Sequence, residues 1–228
     1  MSPHLPAGPG ARITVLDPLP LEVARPMVLL RLGYRGPAQV PARTARLIDE
    51  VMRKGRGLLA PKAVYREVSV SAPEPGVTLI AGGIRTTSRS VRDRLGACRG
   101  AVVFAGTVGP GVDEWYRELT DSDQITRALL ASAYGSAAAI ALGSGLESII
   151  GRRLEARGLR PTRRYAPGYG DWELSDQRPL LALLDAGSIG IRLTEDCLML
   201  PTKSISGIIG GSPPAAAGER GGRREAEG

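Results

Sequence analysis

The chain has 228 residues, 43% hydrophobic and 23% charged, which is ordinary for a soluble globular protein with room for a sizeable core. Only 4% are aromatic, so that core must be built mainly from Leu, Ile, Val and Ala. The formal charge is +7, carried almost wholly by Arg, since the only lysines are Lys54, Lys62 and Lys203. The single histidine, His4, excludes a Ser-His-Asp triad, a His-based zinc or iron site, and a histidine in the body to ligate cobalt. Cys98 and Cys197 make no disulfide framework, and no signal peptide opens the chain, so a cytoplasmic protein is expected.

In chain order, residues 1–11 are a Pro/Gly-rich leader expected to be disordered, and residues 211–228 a tail of the same kind. Residues 12–210 are expected to form one domain. Ala45, Leu47, Ile48, Val51 and Met52 share a stripe that predicts a helix over 42–54, stopped at Gly55. Strands are predicted at 64–70 and 77–81, joined by a Pro/Gly turn. A short helix around 88–95 and a buried strand at 101–105 (AVVFA) follow. The Gly-rich loop Gly106–Gly111 has neither dinucleotide-fingerprint nor P-loop spacing, so a structural turn is the better reading.

Asp121 and Gln124 suggest a helix start, and the pattern continues to about Arg157. Within it, Ala128–Leu146 are nineteen uncharged residues, long enough for a membrane span; seven are Ala, three Gly and three Ser. Such weak hydrophobicity and so many small residues favour a central buried helix. Ser175 or Asp176 can cap a further helix, with Pro179 in its first turn, running to Gly187. Strands are predicted at 189–193, 197–200 and 204–209, with Thr194-Glu195-Asp196 linking the first two. Helices and strands mix without βαβ regularity, so the fold class is α+β.

Two Arg-rich stretches, Arg85–Arg99 and Arg152–Arg164, are either solvated surface or a docking face for an acidic or phosphate-bearing partner. Nucleic acid is not favoured, because almost no aromatic residues interleave the arginines. The segment Arg164-Tyr-Ala-Pro-Gly168-Tyr169-Gly170-Asp171 is of another kind. A planar guanidinium suits a carboxylate, Gly admits a close backbone approach, and Tyr169 can cover a flat ring. That combination suits an amino-acid-bearing nucleoside, although on these grounds alone an ordinary structural loop fits as well.

R-x-x-x-G-Y, here Arg164, Gly168 and Tyr169, resembles the signature of the activation domain of cobalamin-dependent methionine synthase. Leu193-Thr194-Glu195, Met199-Leu200-Pro201 and Ser204-Ile205-Ser206-Gly207 resemble that family's L-T-E, M-x-P and S-V-S-G run, in the right order. LGYRG at 32–36 and FAGTVGPGV at 104–112 look like stand-alone relatives of the domain. The resemblance implies an α+β unit with a curved, mainly antiparallel sheet flanked by helices. It also implies S-adenosylmethionine bound by Arg164 through the carboxylate and by the backbone around Ala166, Gly168 and Tyr169. Glu147, Asp171 and Glu195 are further candidates for the site.

No metal site and no catalytic side chain are expected. Cobalamin would come only through a partner, a corrinoid-carrying methyltransferase whose oxidised cobalt is reductively methylated, with electrons from a low-potential donor such as a flavodoxin-type protein. The chain departs from the family pattern at Ile140 and Ser144, where a helix carboxylate is expected, and at Ile208 and Ile209, where an aromatic follows S-x-S-G. Those departures keep open an interaction module that docks on a corrinoid protein without binding the nucleoside, and the Arg152–Arg164 face keeps open a basic RNA-binding protein.

Overall fold

A computed structural model describes residues 12–214 apart from Gly82 and Arg99, so the leader and most of the tail lie outside the described residues. The apolar run at 101–105 sits at the centre of the architecture. It lies within strand β5 (Gly100–Thr107), which is buried along its whole length. A continuous apolar strand needs cover on both faces, and two clusters supply it. Val102 and Phe104 face one cluster, and Ala101, Val103 and Ala105 face the other.

Around β5 lie β1 (Thr14–Leu16), β2 (Lys62–Ser71), β3 (Thr78–Ile80), β4 (Ile84–Thr86), β6 (Arg160–Pro161) and β9 (Ser204–Ser212). They form a seven-stranded sheet in the order β4-β3-β2-β5-β9-β6, with β1 also on β2, and every pairing is antiparallel. A separate two-stranded hairpin joins β7 (Arg192–Leu193) to β8 (Met199–Leu200). The predicted strands at 189–193 and 197–200 therefore shrink to two residues each. Gly190 and Cys197 adopt positive φ, which breaks the extended run, and Ile189 and Ile191 are buried beside a 3-10 turn instead. Strand β9 also runs three residues beyond its expected end at Ile209, and so past the expected domain end at Gly210, pairing Gly211 with Gly100.

On one face pack α1 (Arg25–Arg31), α2 (Ala42–Arg56), α4 (Gly111–Asp121) and α5 (Ile125–Glu155). On the other lie α3 (Arg89–Leu95) and α6 (Gln177–Leu183). The long helix predicted from Asp121 to about Arg157 is α5, starting at Ile125, and the unpredicted α4 precedes it. Asp121 ends α4 rather than starting α5, and Asp123 at φ 56° turns the chain between them. The signal for α4 was present, since Val112, Trp115 and Leu119 recur at helical spacing and all are buried.

Helix α5 is long and apolar enough by length and composition to cross a membrane. In this fold it is the core helix: Leu142, Leu146, Ile150 and Leu154 are completely buried in the cluster that covers the sheet. The last turn of α5 is held to the sheet by Glu67 of β2. This buried carboxylate takes Arg153 at 2.9 Å and Arg157 at 2.7 Å.

Candidate functional site

Strand β9 has β5 along one edge, but β6 covers only the end of the other, at Gly211 and Ser212. Further back, Tyr165 and Ile208 exchange backbone hydrogen bonds of 3.0 and 2.8 Å across that open edge. Antiparallel ladders alternate, so Ser206, two residues before Ile208, turns its N–H and C=O the same way. Past this point the strand borders a cavity of about 330 Å³. Its walls are Ala139 and Ile140 from α5, Ser204, Ile205 and Ser206 from β9, Gln177 and Met199, and the segment from Arg164 to Tyr169.

That segment is tightly fixed. Gly168 has φ 87° and donates to the Trp172 carbonyl at 2.8 Å; Trp172 donates back to the Tyr169 carbonyl at 3.0 Å. Gly170 has φ 55°, and a β-carbon there would meet the Tyr165 hydroxyl at 2.5 Å, so both positions require glycine. The Tyr165 hydroxyl donates to the Tyr169 carbonyl at 2.7 Å. Its ring stacks on Trp172 at 5.8 Å, and the Arg94 guanidinium lies 4.4 Å above the ring centre. The Tyr169 ring itself is 68% exposed beside the cavity, free to close over a flat ligand.

Arg164 enters the cavity wall with its orientation already set. Its backbone N–H donates to Glu147 Oε1 at 3.2 Å, and its Nε lies 3.4 Å from Glu147 Oε2. Glu147, three residues beyond Ser144 on α5, supplies a helix carboxylate near the position where the family pattern leads one to look. It is Arg164's partner and is not among the residues lining the cavity. At the floor, Gln177 is buried and bridges two elements. Its Oε1 accepts from the Ser206 hydroxyl at 3.0 Å, and its Nε2 donates to the Cys197 carbonyl at 2.7 Å. Neither this bridge nor the Arg164–Glu147 pair was visible in the sequence, because each joins residues brought together only by the fold.

The other candidates divide. Ala166 and Tyr169 line the cavity with Arg164, whereas Gly168 shapes the turn behind it. Asp171 and Glu195 are not among the residues lining the cavity. The Asp171 carboxylate sits at the start of α3, accepting from the Ser88 hydroxyl and the Arg89 backbone N–H, both at 2.7 Å, and from the Ser90 N–H at 3.2 Å. The Ser88 hydrogen bond, followed by those from Ser90 and Arg89, holds it well below the usual carboxylate range. Glu195 lies on the exposed turn of the β7–β8 hairpin, where only its backbone carbonyl is engaged, by Arg178.

The arginine stretches are likewise not bare charge. Arg85 pairs with Glu74, Arg89 with Asp93, Arg152 bonds Ser148, and Arg153 and Arg157 share Glu67. Cys98 packs in the core, and burial pushes its thiol up to about 11. Among the described residues, no group of three or more His, Cys, Asp or Glu converges on a metal position.

A second cavity of about 1150 Å³ opens on the other side of the Met199–Ser206 segment, beside the start of α4. Lys62, Arg117, Arg192 and Lys203 stand on its walls with Asp113 and Glu114. Asp113 is engaged by Thr202, whose N–H and hydroxyl donate at 2.6 and 2.7 Å. Lys203 reaches Ser136 and Ser132 of α5 at 3.1 and 3.3 Å, and burial lowers its pKa.

Residues 84–217 match the family model of the vitamin B12 dependent methionine synthase activation domain, more than half of the chain. The chain belongs to this family. Among solved structures, the MetH reactivation domain bound to AdoHcy aligns with a TM-score of 0.68 at 16% identity, over 92% of this chain and 82% of that one. At that identity the likeness speaks for the fold, and it agrees with the mixed helices and antiparallel sheet found here. No curated protein matches the chain significantly. The matched span starts at β4 and contains the whole Arg164–Tyr169 segment, whereas β1, α1, α2, β2 and β3 precede it.

Proposed function

We propose that the chain binds S-adenosylmethionine at the open edge of β9 and supports reductive methylation of a corrinoid carried by a methyltransferase partner. The observation that carries this reading is Arg164. Its guanidinium is fixed by α5 at the wall of a cavity that also offers an unpaired strand edge and an exposed Tyr169. The cavity has the size of a small-molecule site. Arg164 would take the ligand carboxylate, Ala166 and the Ser206 backbone the polar edges of the nucleoside, and Tyr169 its flat face. Membership of the activation-domain family supports the assignment, as does a neighbour whose structure contains AdoHcy.

The methyl group of a sulfonium is already activated, so this chain is asked only to position it. Well-oriented reactants can gain about 7–11 kcal/mol from proximity alone. We place the docked partner over the larger cavity, across the Met199–Ser206 segment, with the electron donor supplied by the partner system and the complex in the cytoplasm. The interaction-module alternative draws on Ile140, an aliphatic side chain at the cavity wall, and on the Glu147 carboxylate already held by Arg164.

Titration calorimetry separates the two. S-adenosylmethionine should bind between micromolar and sub-millimolar concentration and raise the Tm by mass action. Arg164→Lys, which keeps the charge but loses the planar fork, should weaken binding about tenfold with little change in Tm. Heat-silent titration of folded protein at millimolar ligand, with no rise in Tm, would overturn the S-adenosylmethionine reading and leave the interaction module and the RNA-binding protein.

A further inference from the structure

Glycine is disfavoured inside a helix, yet α5 carries four, and one of them, Gly143, faces Arg164. A β-carbon built there would stand 1.7 Å from Arg164 Nη1 and 2.9 Å from its Cζ, so the guanidinium occupies the space that any other residue would fill. The next contact, Ile205 Cδ1 at 3.3 Å, is also the end of a side chain. The three nearest atoms to a methyl group at this point thus all belong to the side chains of Arg164 and Ile205.

Glu147 lies one turn further along the same helix face, since residues four apart stack above one another. It grips the Nε edge of the same guanidinium at 3.4 Å. We infer that Gly143 is a positioning residue, the bare backbone seat that receives the Nη1 end of Arg164 while Glu147 holds its Nε, so that the Nη2 side of the guanidinium is presented to a ligand carboxylate. This inference rests on the proposed S-adenosylmethionine site and adds to it a determinant of selectivity for nucleosides bearing an amino-acid tail. A methyl group at 143 lifts the guanidinium off the helix and spoils the bidentate geometry on which carboxylate recognition depends.

The same helix provides the control. At Gly145 an added β-carbon meets nothing within 4 Å, so Gly145→Ala brings the same gain in helix propensity without touching Arg164.

The test measures three ligands by calorimetry: S-adenosylmethionine, S-adenosylhomocysteine and 5′-methylthioadenosine, which lacks the carboxylate and amine. Gly143→Ala should bind the first two at least tenfold more weakly and the third within about twofold of the unaltered protein, with Tm unchanged or raised. Gly145→Ala should change none of the three. In an Arg164→Ala background, Gly143→Ala should cost nothing further, the non-additivity expected of residues acting through one another.

In the ligand-free protein, the Arg164 Nε–Hε signal should move in Gly143→Ala and stay put in Gly145→Ala. Should Gly143→Ala be unstable, combining it with Ile205→Val removes the other close methyl and repeats the test. Equal behaviour of the two alanine variants, or equal loss for methylthioadenosine, overturns the role of Gly143 while leaving the binding site standing. Failure of the unaltered protein to bind S-adenosylmethionine overturns the site itself. In that case the arginine signal alone still reports whether Gly143 seats Arg164.

Discussion

At the scale of single residues, this fold separates groups that build the signature loop from groups that line the cavity. Asp171 is the clearest case of the first kind. It lies directly after Gly168-Tyr169-Gly170, yet its carboxylate serves the N-terminus of a helix some eighty residues earlier in the chain. Its folded-state pKa is depressed, so the stability it confers is fully present above the unfolded value of about 3.9 and fades as pH falls toward the folded value. Asp171→Asn should therefore lower Tm at pH 7, and the gap to the unaltered protein should narrow as pH drops below about 4 and close in strong acid. Tm against pH for the two proteins checks this. A gap that stayed constant down to low pH would mean that Asp171 acts by shape and not by charge. Arg164 belongs to the second kind, and its exposed pairing with Glu147 is worth little to stability, as surface ion pairs usually are.

At the scale of elements, α5 joins core and site in one continuous helix. Its buried face covers the sheet, where the tips of Leu142 and Leu146 come so near Gly106 of β5 that a β-carbon there would lie 3.2 Å from each. Gly143 and Glu147 project from the same turns toward Arg164. Leu142→Ala should cost about 2–5 kcal/mol, the range for a fully buried leucine, and Leu142→Met less than about 1.5. Chemical denaturation measures both; a loss for Leu142→Ala under 1 kcal/mol would mean that α5 does not pack as described. Elements with a strong period were legible in the sequence: the stripe of α2, the apolar run of β5 and most of α5. Three-residue strands such as β1 and β4 were not, because they carry too few residues to show a period and exist only through pairing. The hairpin at 192–200 was overestimated because apolar content alone does not reveal the left-handed residues Gly190 and Cys197. Of the site, the loop could be read from its motif and Glu147 stood among the candidates, but its pairing with Arg164 and the supports Gly143 and Gln177 could not be read. Their roles depend on sheet order and on how α5 crosses the sheet.

At the scale of the whole molecule, a sheet covered on both faces leaves part of the β9 edge open, and both cavities lie along the segment that leads into it. A small ligand on one side of Met199–Ser206 and a docked partner on the other would be separated by little more than that strand end. This layout makes a demand on the partner. The chain has no histidine in its body for cobalt, and no metal cluster is formed among the described residues, so the corrinoid is expected to arrive on another protein. The purified protein should then be colourless. Lys62, Arg117, Arg192 and Lys203 around the larger cavity give an acidic surface something to find, so association with a corrinoid methyltransferase module should weaken as salt rises. Mixed with that module, S-adenosylmethionine and a low-potential reductant, the protein should convert the cob(II) spectrum to that of methylcobalamin. Omitting it should abolish or greatly slow the change, and Arg164→Lys should slow it in step with lost nucleoside affinity. If conversion runs equally fast without the chain, across several corrinoid modules, reactivation is not its work, whatever the cavity at β9 binds.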